Sequence, residues 1–243
     1  MESMTQSYQY VGSELELFKN AKNWKRYFGA IIQNYLRGSV LEVGAGIGNN
    51  TSFLINEKIT CWTALEPDRS MHVSLQERLK RIPAARARLG TLQEIAAGEL
   101  FDGIVYIDVL EHIEQDREEL RRAAQHLKKG GRLILLAPAH NFLFSAFDQS
   151  LGHFRRYSKK TLLELAPAQL RLEHLLHLDC LGLSLSLVNR FVLRQGLPTH
   201  SQIAFWDGLV VPFSRILDRL SGYRFGKSIL GVWRKGAGQA REL

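Results

Sequence analysis

The chain has 243 residues, 45% of them apolar and 23% charged, which suits one sizeable core of ordinary globular composition. Its two cysteines, Cys61 and Cys180, exclude a disulfide framework; with Cys61 inside a predicted buried strand, they fit a reducing cytoplasm. No stretch reaches the about 18 uncharged apolar residues of a spanning helix, because Asp179, Arg190, Asp207 and Arg215 interrupt the candidates.

The start, Met1–Ser7, has neither the basic region nor the apolar run of a signal peptide, and none is expected. The net charge of +8 is uneven. Residues 1–150 hold 18 Lys/Arg and 18 Asp/Glu, whereas residues 151–243 hold 14 and 6. The second half therefore points to an anionic partner: a phosphorylated or carboxylated acceptor, a nucleic acid or a lipid surface. A merely solubilising excess is the plain alternative.

In chain order, residues 14–36 read as a helix, with Leu15, Phe18, Trp24, Phe28, Ile31 and Tyr35 at helical spacing. Strands are predicted at 39–44, 59–66, 85–89, 102–108 and 131–137. Helices are predicted at 49–56, 69–80 and 114–129, the last stopped by Gly130-Gly131. This alternation predicts a parallel sheet covered on both faces, with ligands at the carboxyl ends of its strands.

After residue 155 the pattern changes. Ser158 caps a helix to about Ala166, ended by Pro167, and Leu170–Leu178 and Ser228–Trp233 read as two more strands. Between them lie helices near 183–194 and 201–221, an insertion at about 181–224 rich in Leu, Phe and Trp. One domain, 1–243, is the economical reading: a helical region (1–37), a core (38–140) and an acceptor-side region (141–243). Phe205, Trp206, Val210, Val211 and Phe213 read as core or as a dimer face.

The run Val40-Leu41-Glu42-Val43-Gly44-Ala45-Gly46-Ile47-Gly48 is a strand followed by glycines, which let the backbone turn tightly and approach a ligand. Glu66, 22 positions after Gly44 at the end of the second strand, suits a ribose diol. The spacing is G-x-G-x-G, and Asn49 stands where a dinucleotide fingerprint has its third glycine. With Glu42 before it, the segment resembles motif I of the class I S-adenosylmethionine-dependent methyltransferases. Phe101–Asp108, continued by Val109-Leu110-Glu111-His112-Ile113, resembles their motif IV, and the pair separates this cofactor from a nicotinamide or flavin.

The resemblance implies a Rossmann-like, seven-stranded, mostly parallel sheet whose last two strands form an antiparallel hairpin carrying the helical insertion. It implies that Glu42 helps hold the methionine ammonium end and Glu66 the ribose. Gly44, Ala45, Gly46, Gly48 and Pro67 form the cradle, and Asp108 begins the loop beside the sulfonium. Adenine is expected near Gly90-Thr91-Leu92-Gln93, with Leu92 as an apolar wall; Thr91 stands where many members have an acid. No Asp/Asn-Pro-Pro-aromatic tetrapeptide is present, which favours oxygen or carbon acceptors while leaving small-molecule amines open.

His112 is a candidate general base, with loop support as its plain alternative. Glu111 reads as a helix-start residue. Asp148, His153, Arg155, Arg156 and Tyr157 fall within ten residues after the fifth strand. That density suggests acceptor binding, Arg155 and Arg156 holding a phosphate or carboxylate and His153 or Tyr157 an alternative base. A salt-bridged hinge with Asp148 pairing an arginine is the competing reading. The run L-G-H-x-R-R-Y-S resembles one branch of bacterial class I methyltransferases.

A metal set of His140, Asp148 and His153 matches no ligand signature, so no metal is assigned. His174 and His177 face opposite sides of a strand and form no ligand pair. The expected acceptor is a small or lipid-linked anionic metabolite, with peripheral membrane contact and a homodimer both compatible. A nucleic-acid methyltransferase is the second reading, weakened by the lack of a separate RNA-binding module. A non-catalytic adenosylmethionine-binding partner protein is the third.

Overall fold

The computed structural model describes residues 18–193 and 197–236. Seven strands form one sheet: β1 (Gly38–Val43), β2 (Ile59–Glu66), β3 (Ala85–Leu89), β4 (Phe101–Ile107), β5 (Leu127–Pro138), β6 (Leu170–Leu178) and β7 (Ser228–Lys235). Their order is β3-β2-β1-β4-β5-β7-β6. The first five are parallel, and β7 runs antiparallel between β5 and β6.

The helices are α1 (Lys22–Ile32), α2 (Thr51–Leu54), α3 (Arg69–Leu79), α4 (Asp116–Gln125), α5 (Ala146–Ser150), α6 (Lys159–Leu165), α7 (Cys180–Val188), α8 (His200–Phe205) and α9 (Val211–Leu220). The central strands read as apolar runs because both faces are buried. One cluster, with Trp24, Phe28, Trp62 and Leu75, lies on the α1 side; the other, with Tyr106, Leu120 and Trp233, lies under α4.

β1 sits at the reversal of strand order, where Glu42 pairs with Ala64 on one side and Val105 on the other. The carboxyl ends of β1, β2 and β4 therefore come together, bringing Gly44, Pro67 and Asp108 to one edge. This is where open α/β sheets bind ligands.

Some expected boundaries shift. The helix expected at 49–56 is the single turn of α2. Of the helix expected at 14–36, residues 14–17 lie outside the described residues; the remainder is α1 flanked by turns at Phe18–Asn20 and Gln33–Tyr35. Gly130-Gly131 does not stop a helix. α4 ends at Gln125 and both glycines belong to β5, beside a register slip between Phe101 and Gly103. A Cβ on Gly131 would stand 2.9 Å from the Lys128 carbonyl oxygen and 3.1 Å from that of Phe101, so this bulge requires glycine.

The insertion between β6 and β7 folds as a cap. α7 continues into a wide turn at Asn189–Leu193, and α8 and α9 are joined by another at Trp206–Val210. Buried carboxylates attach it. Asp207 accepts from the backbone N–H groups of Asn23 (3.1 Å) and Trp24 (2.8 Å), which have no donor-satisfying cap at Ala21. The cap segment thus terminates α1 from more than 180 positions away. Asp218 accepts from the Tyr27 hydroxyl (2.7 Å) and the N–H groups of Asp179 (2.6 Å) and Cys180 (3.0 Å). Of the apolar residues read as core or dimer face, Trp206, Val210 and Val211 are buried, and Phe205 and Phe213 are more than half exposed.

Candidate functional site

A cavity of about 1270 Å³ runs from the glycine loop to the inner face of the cap. The loop after β1 turns through Gly44, Gly46 and Gly48, all at positive φ. A Cβ on Gly44 would lie 2.8 Å from both methyls of Val109, so only glycine allows the loop this close to the β4 loop.

Gly46 N–H donates to Glu66 Oε2 (2.7 Å) and Asp68 N–H to Oε1 (2.9 Å), which aims the Glu66 carboxylate along the cavity. Each oxygen keeps a second lone pair for a ligand hydroxyl. Burial raises the Glu66 carboxyl, partly opposed by these N–H groups. Gly44, Ala45, Gly46, Glu66 and Pro67 line the cavity, and Thr91, Leu92 and Asp108 do so beside them. Asp108 holds the left-handed backbone (φ 53°) at the end of β4, its N–H donating to Leu136 O at 2.8 Å. Thr91 caps the turn Leu92–Glu94 by accepting from Gln93 N–H (3.3 Å), while Leu92 supplies a buried apolar wall.

Two expected cradle residues do not line the cavity. Glu42 is buried beneath the loop, accepting from Thr51 Oγ1 (2.6 Å) and Trp62 Nε1 (3.0 Å) through one oxygen. Burial pushes its carboxyl up to about 7 against those two donors. It braces the loop from below and does not present itself to the methionine end. Gly48 faces away, packed toward Leu75.

The segment after β5 divides. Tyr157 is buried away from the cavity, its hydroxyl donating to Leu110 O and Asp116 Oδ2 (3.1 Å each), and burial with Asp116 nearby pushes it far above its ordinary range. Neither the base role nor acceptor binding suits it. Arg155 is likewise off the cavity, in an ion pair with Asp116 at 2.6 Å and bonded to Glu114 O. Arg156 reaches the cavity, but its guanidinium grips Asp148 through two bonds, 2.7 and 3.0 Å. Asp148 is fully buried and also accepts from Ser145 N–H and His153 Nδ1 (3.1 Å). Burial alone would raise its carboxyl; the bonds from His153 and Arg156 outweigh that and hold it well below the carboxylate range. This is the salt-bridged hinge, and the hinge aims His153.

His112, on the turn Leu110–His112, stands edge-on to His153 with ring centroids 4.5 Å apart, and both line the cavity. Burial, then the neighbouring His153, pushes His112 down to about 4 against a bond to the Leu151 carbonyl. It is a neutral imidazole at physiological pH. His140 is not part of this group: its Nε2 meets Gly226 O and its ring stacks on His177 at 5.0 Å, so the set of His140, Asp148 and His153 is not assembled. His174 instead lies against Tyr35.

Several site residues escaped the sequence. Lys25 lines the cavity, donates to the carbonyls of Phe18 and Lys19 (2.9 Å each), and is pushed down to about 8 by burial and Arg78. Lys227 lies 3.7 Å over the Trp206 ring and 3.4 Å from Asp179. Glu111 faces the cavity, fully buried. Only the adjacency Glu111-His112 gave a signal in sequence; the lysines reach the site through tertiary packing.

Sheet order, glycine cradle and the acid at the end of β2 together place a nucleotide-type ligand site at the reversal of strand order. Residues 41–133 match the family model described as "Methyltransferase domain", and no curated protein matches. Among solved structures, the chain is similar to the YcgJ protein of Bacillus subtilis, with 19% identity, 87% of this chain and 99% of that one covered, and a TM-score of 0.59. It is similar to a structure of Haloferax volcanii Trm112 methyltransferase activator with its methyltransferase (14%, 95% and 100%, 0.64). A third is the N-methyltransferase NodS of Bradyrhizobium japonicum with S-adenosyl-L-homocysteine (15%, 95% and 94%, 0.58). Over residues 41–133 the chain thus matches a methyltransferase domain, and over its whole length it shares the fold of these three structures.

Proposed function

We propose that the protein is an S-adenosylmethionine-dependent methyltransferase whose acceptor is a small or lipid-linked anionic metabolite, methylated on oxygen, carbon or nitrogen beneath the cap. The observation that carries this reading is the continuity of one cavity: the glycine loop and the apolar cap residues Leu185, Val188, Ile203 and Phe205 line the same space. Lys25, Arg156, Arg190 and Lys227 border it, so an apolar body and a negative group both find partners. The fork of Arg156 and the ammonium of Lys227 already face carboxylates. Arg190, on the exposed side of the cap, is therefore the residue proposed to meet the acceptor's charge.

Adenosylmethionine supplies an electrophilic methyl whose sulfur leaves as a neutral thioether. The chain's share is placement: Gly44–Gly46 and Glu66 fix one partner, the cap and the β4 loop fix the other, and their walls exclude water. Aligning two bound partners accounts for much of such a reaction's acceleration.

The test is transfer of labelled methyl from adenosylmethionine to a panel of carboxylated and phosphorylated metabolites, free and lipid-linked, with RNA as comparison. Turnover of an anionic acceptor, with KM raised about tenfold (about 1.4 kcal/mol) in Arg190→Glu and kcat little changed, is expected. Turnover confined to RNA or to neutral acceptors would contradict it.

A further inference from the structure

Glu111 is 1% exposed, and among the described residues no other residue supplies a hydrogen bond to either carboxylate oxygen. An unsatisfied buried carboxylate costs several kcal/mol, and the neighbouring Asp108 adds repulsion. Nothing in the fold requires an acid here: the backbone carbonyl of Glu111, accepting from Phe154 N–H at 2.8 Å, already ties the turn.

The groups around it are set for a ligand of a particular kind. Nδ1 of His153 meets Asp148 Oδ1 at 3.1 Å, and a carboxylate beside Arg156 accepts, so His153 donates through Nδ1 and keeps a lone pair on Nε2. Potential ligand atoms of Glu111, His112 and His153 all lie within 4.8 Å of one another. A cation held by bonds of about 2.1 Å brings its ligand atoms to roughly 3–4 Å apart, so the three close by about an ångström. Asp148, gripped by Arg156 and Ser145, fixes the orientation of His153 as second partners of metal-bound histidines do.

We propose that Glu111, His112 and His153 form a site for a divalent first-row transition metal, facing the cavity beside the glycine loop. Two imidazoles and one carboxylate suit zinc, iron, cobalt or manganese, whereas magnesium and calcium prefer all-oxygen shells. Three protein ligands leave coordination positions open toward the cavity. There the cation would draw in an oxygen of the acceptor; that consequence, unlike the metal site itself, rests on the acceptor reading above.

Chelator-stripped full-length protein is titrated with Co²⁺ while its visible absorption is followed, and S-adenosylhomocysteine binding is measured on the same samples. One equivalent of cobalt with ligand-field bands is expected, displaced by Zn²⁺ and not by equal Mg²⁺. Affinity should fall at least about tenfold in Glu111→Gln and in His153→Ala, with homocysteine-form binding kept in His153→Ala. Thermal melting of each variant shows whether it folds, and His153→Ala, on the cavity wall where Asp148 keeps both bonds from Arg156, decides if Glu111→Gln does not fold. Absence of cobalt binding in wild type, or equal binding by His153→Ala, overturns the metal site and leaves the methyltransferase reading intact. Cobalt binding without homocysteine-form binding supports the metal site and counts against the cofactor reading instead.

Discussion

At the scale of single residues, two carboxylates of the cofactor half do opposite work. Glu66 carries Gly46 and Asp68 on its two oxygens and keeps lone pairs toward the cavity. Its replacement by alanine removes the ribose acceptor and the brace of the loop together. Two hydrogen bonds to a charged acceptor are worth about 1.5–3 kcal/mol each, so Glu66→Ala should weaken S-adenosylhomocysteine binding by at least about a hundredfold in calorimetry. Gly44→Ala should lose binding comparably while the fold persists, because the new methyl would meet Val109 at 2.8 Å in a left-handed backbone.

Glu42, in contrast, is a buried acid with a raised pKa, and the sign of its effect on stability follows. Its carboxyl titrates near 7 in the fold and about 4.5 unfolded. It is neutral in both states below the unfolded value; above 7, folding keeps a charge in an apolar site. Its stability contribution is therefore fully present at low pH and lost as pH rises through 7. Glu42→Gln keeps the acceptor for Thr51 and Trp62 without that charge. Urea melts should show the variant gaining about 2–3 kcal/mol on wild type between pH 5 and pH 8; a difference independent of pH would refute the assignment.

At the scale of elements, the cap is fastened by polar contacts between segments remote in sequence. Asp218 serves three donors on α1 and at the start of α7, and Asp207 finishes the N-terminus of α1. Asp218→Ala leaves the Tyr27 hydroxyl and two N–H groups buried without an acceptor, a loss of roughly 3 kcal/mol. Asp207→Ala removes a helix cap worth about 1 kcal/mol. Chemical denaturation would read both, and equal effects would contradict the ranking.

These contacts also explain which elements were legible in sequence. The central strands β1, β2 and β4 show through because they are buried, mostly apolar runs, and the glycine spacing with Glu66 located the cradle. Glu42, in motif I, could be assigned to the ligand only by analogy, because a carboxylate facing Trp62 beneath the loop looks the same in sequence as one facing the cofactor. Gly130-Gly131 carried a helix-stop signature that a strand bulge uses equally well. The separation of Arg155 from Arg156, and of Tyr157 from His153, depends on which way successive side chains turn around buried Asp148 and Asp116.

At the scale of the whole molecule, the neutral half holds the cofactor cradle and the basic half supplies the cap, so one cavity joins two chemistries. Among the described residues, no helix is long and apolar enough to cross a membrane. Because cradle and cap share that cavity, a ligand bound to it stabilises the molecule as a unit. At about a hundred times its dissociation constant, S-adenosylhomocysteine should add about 2.7 kcal/mol, visible as a single cooperative melt moved to higher temperature.

The central claim is that this cavity is built for adenosylmethionine, and calorimetric titration of wild type and Glu66→Ala with S-adenosylhomocysteine, beside NADH, tests it most directly. The account predicts micromolar binding of the homocysteine form to wild type, no binding of NADH, and loss in Glu66→Ala. Preference for NADH, or no binding of the homocysteine form to folded wild type, would contradict it.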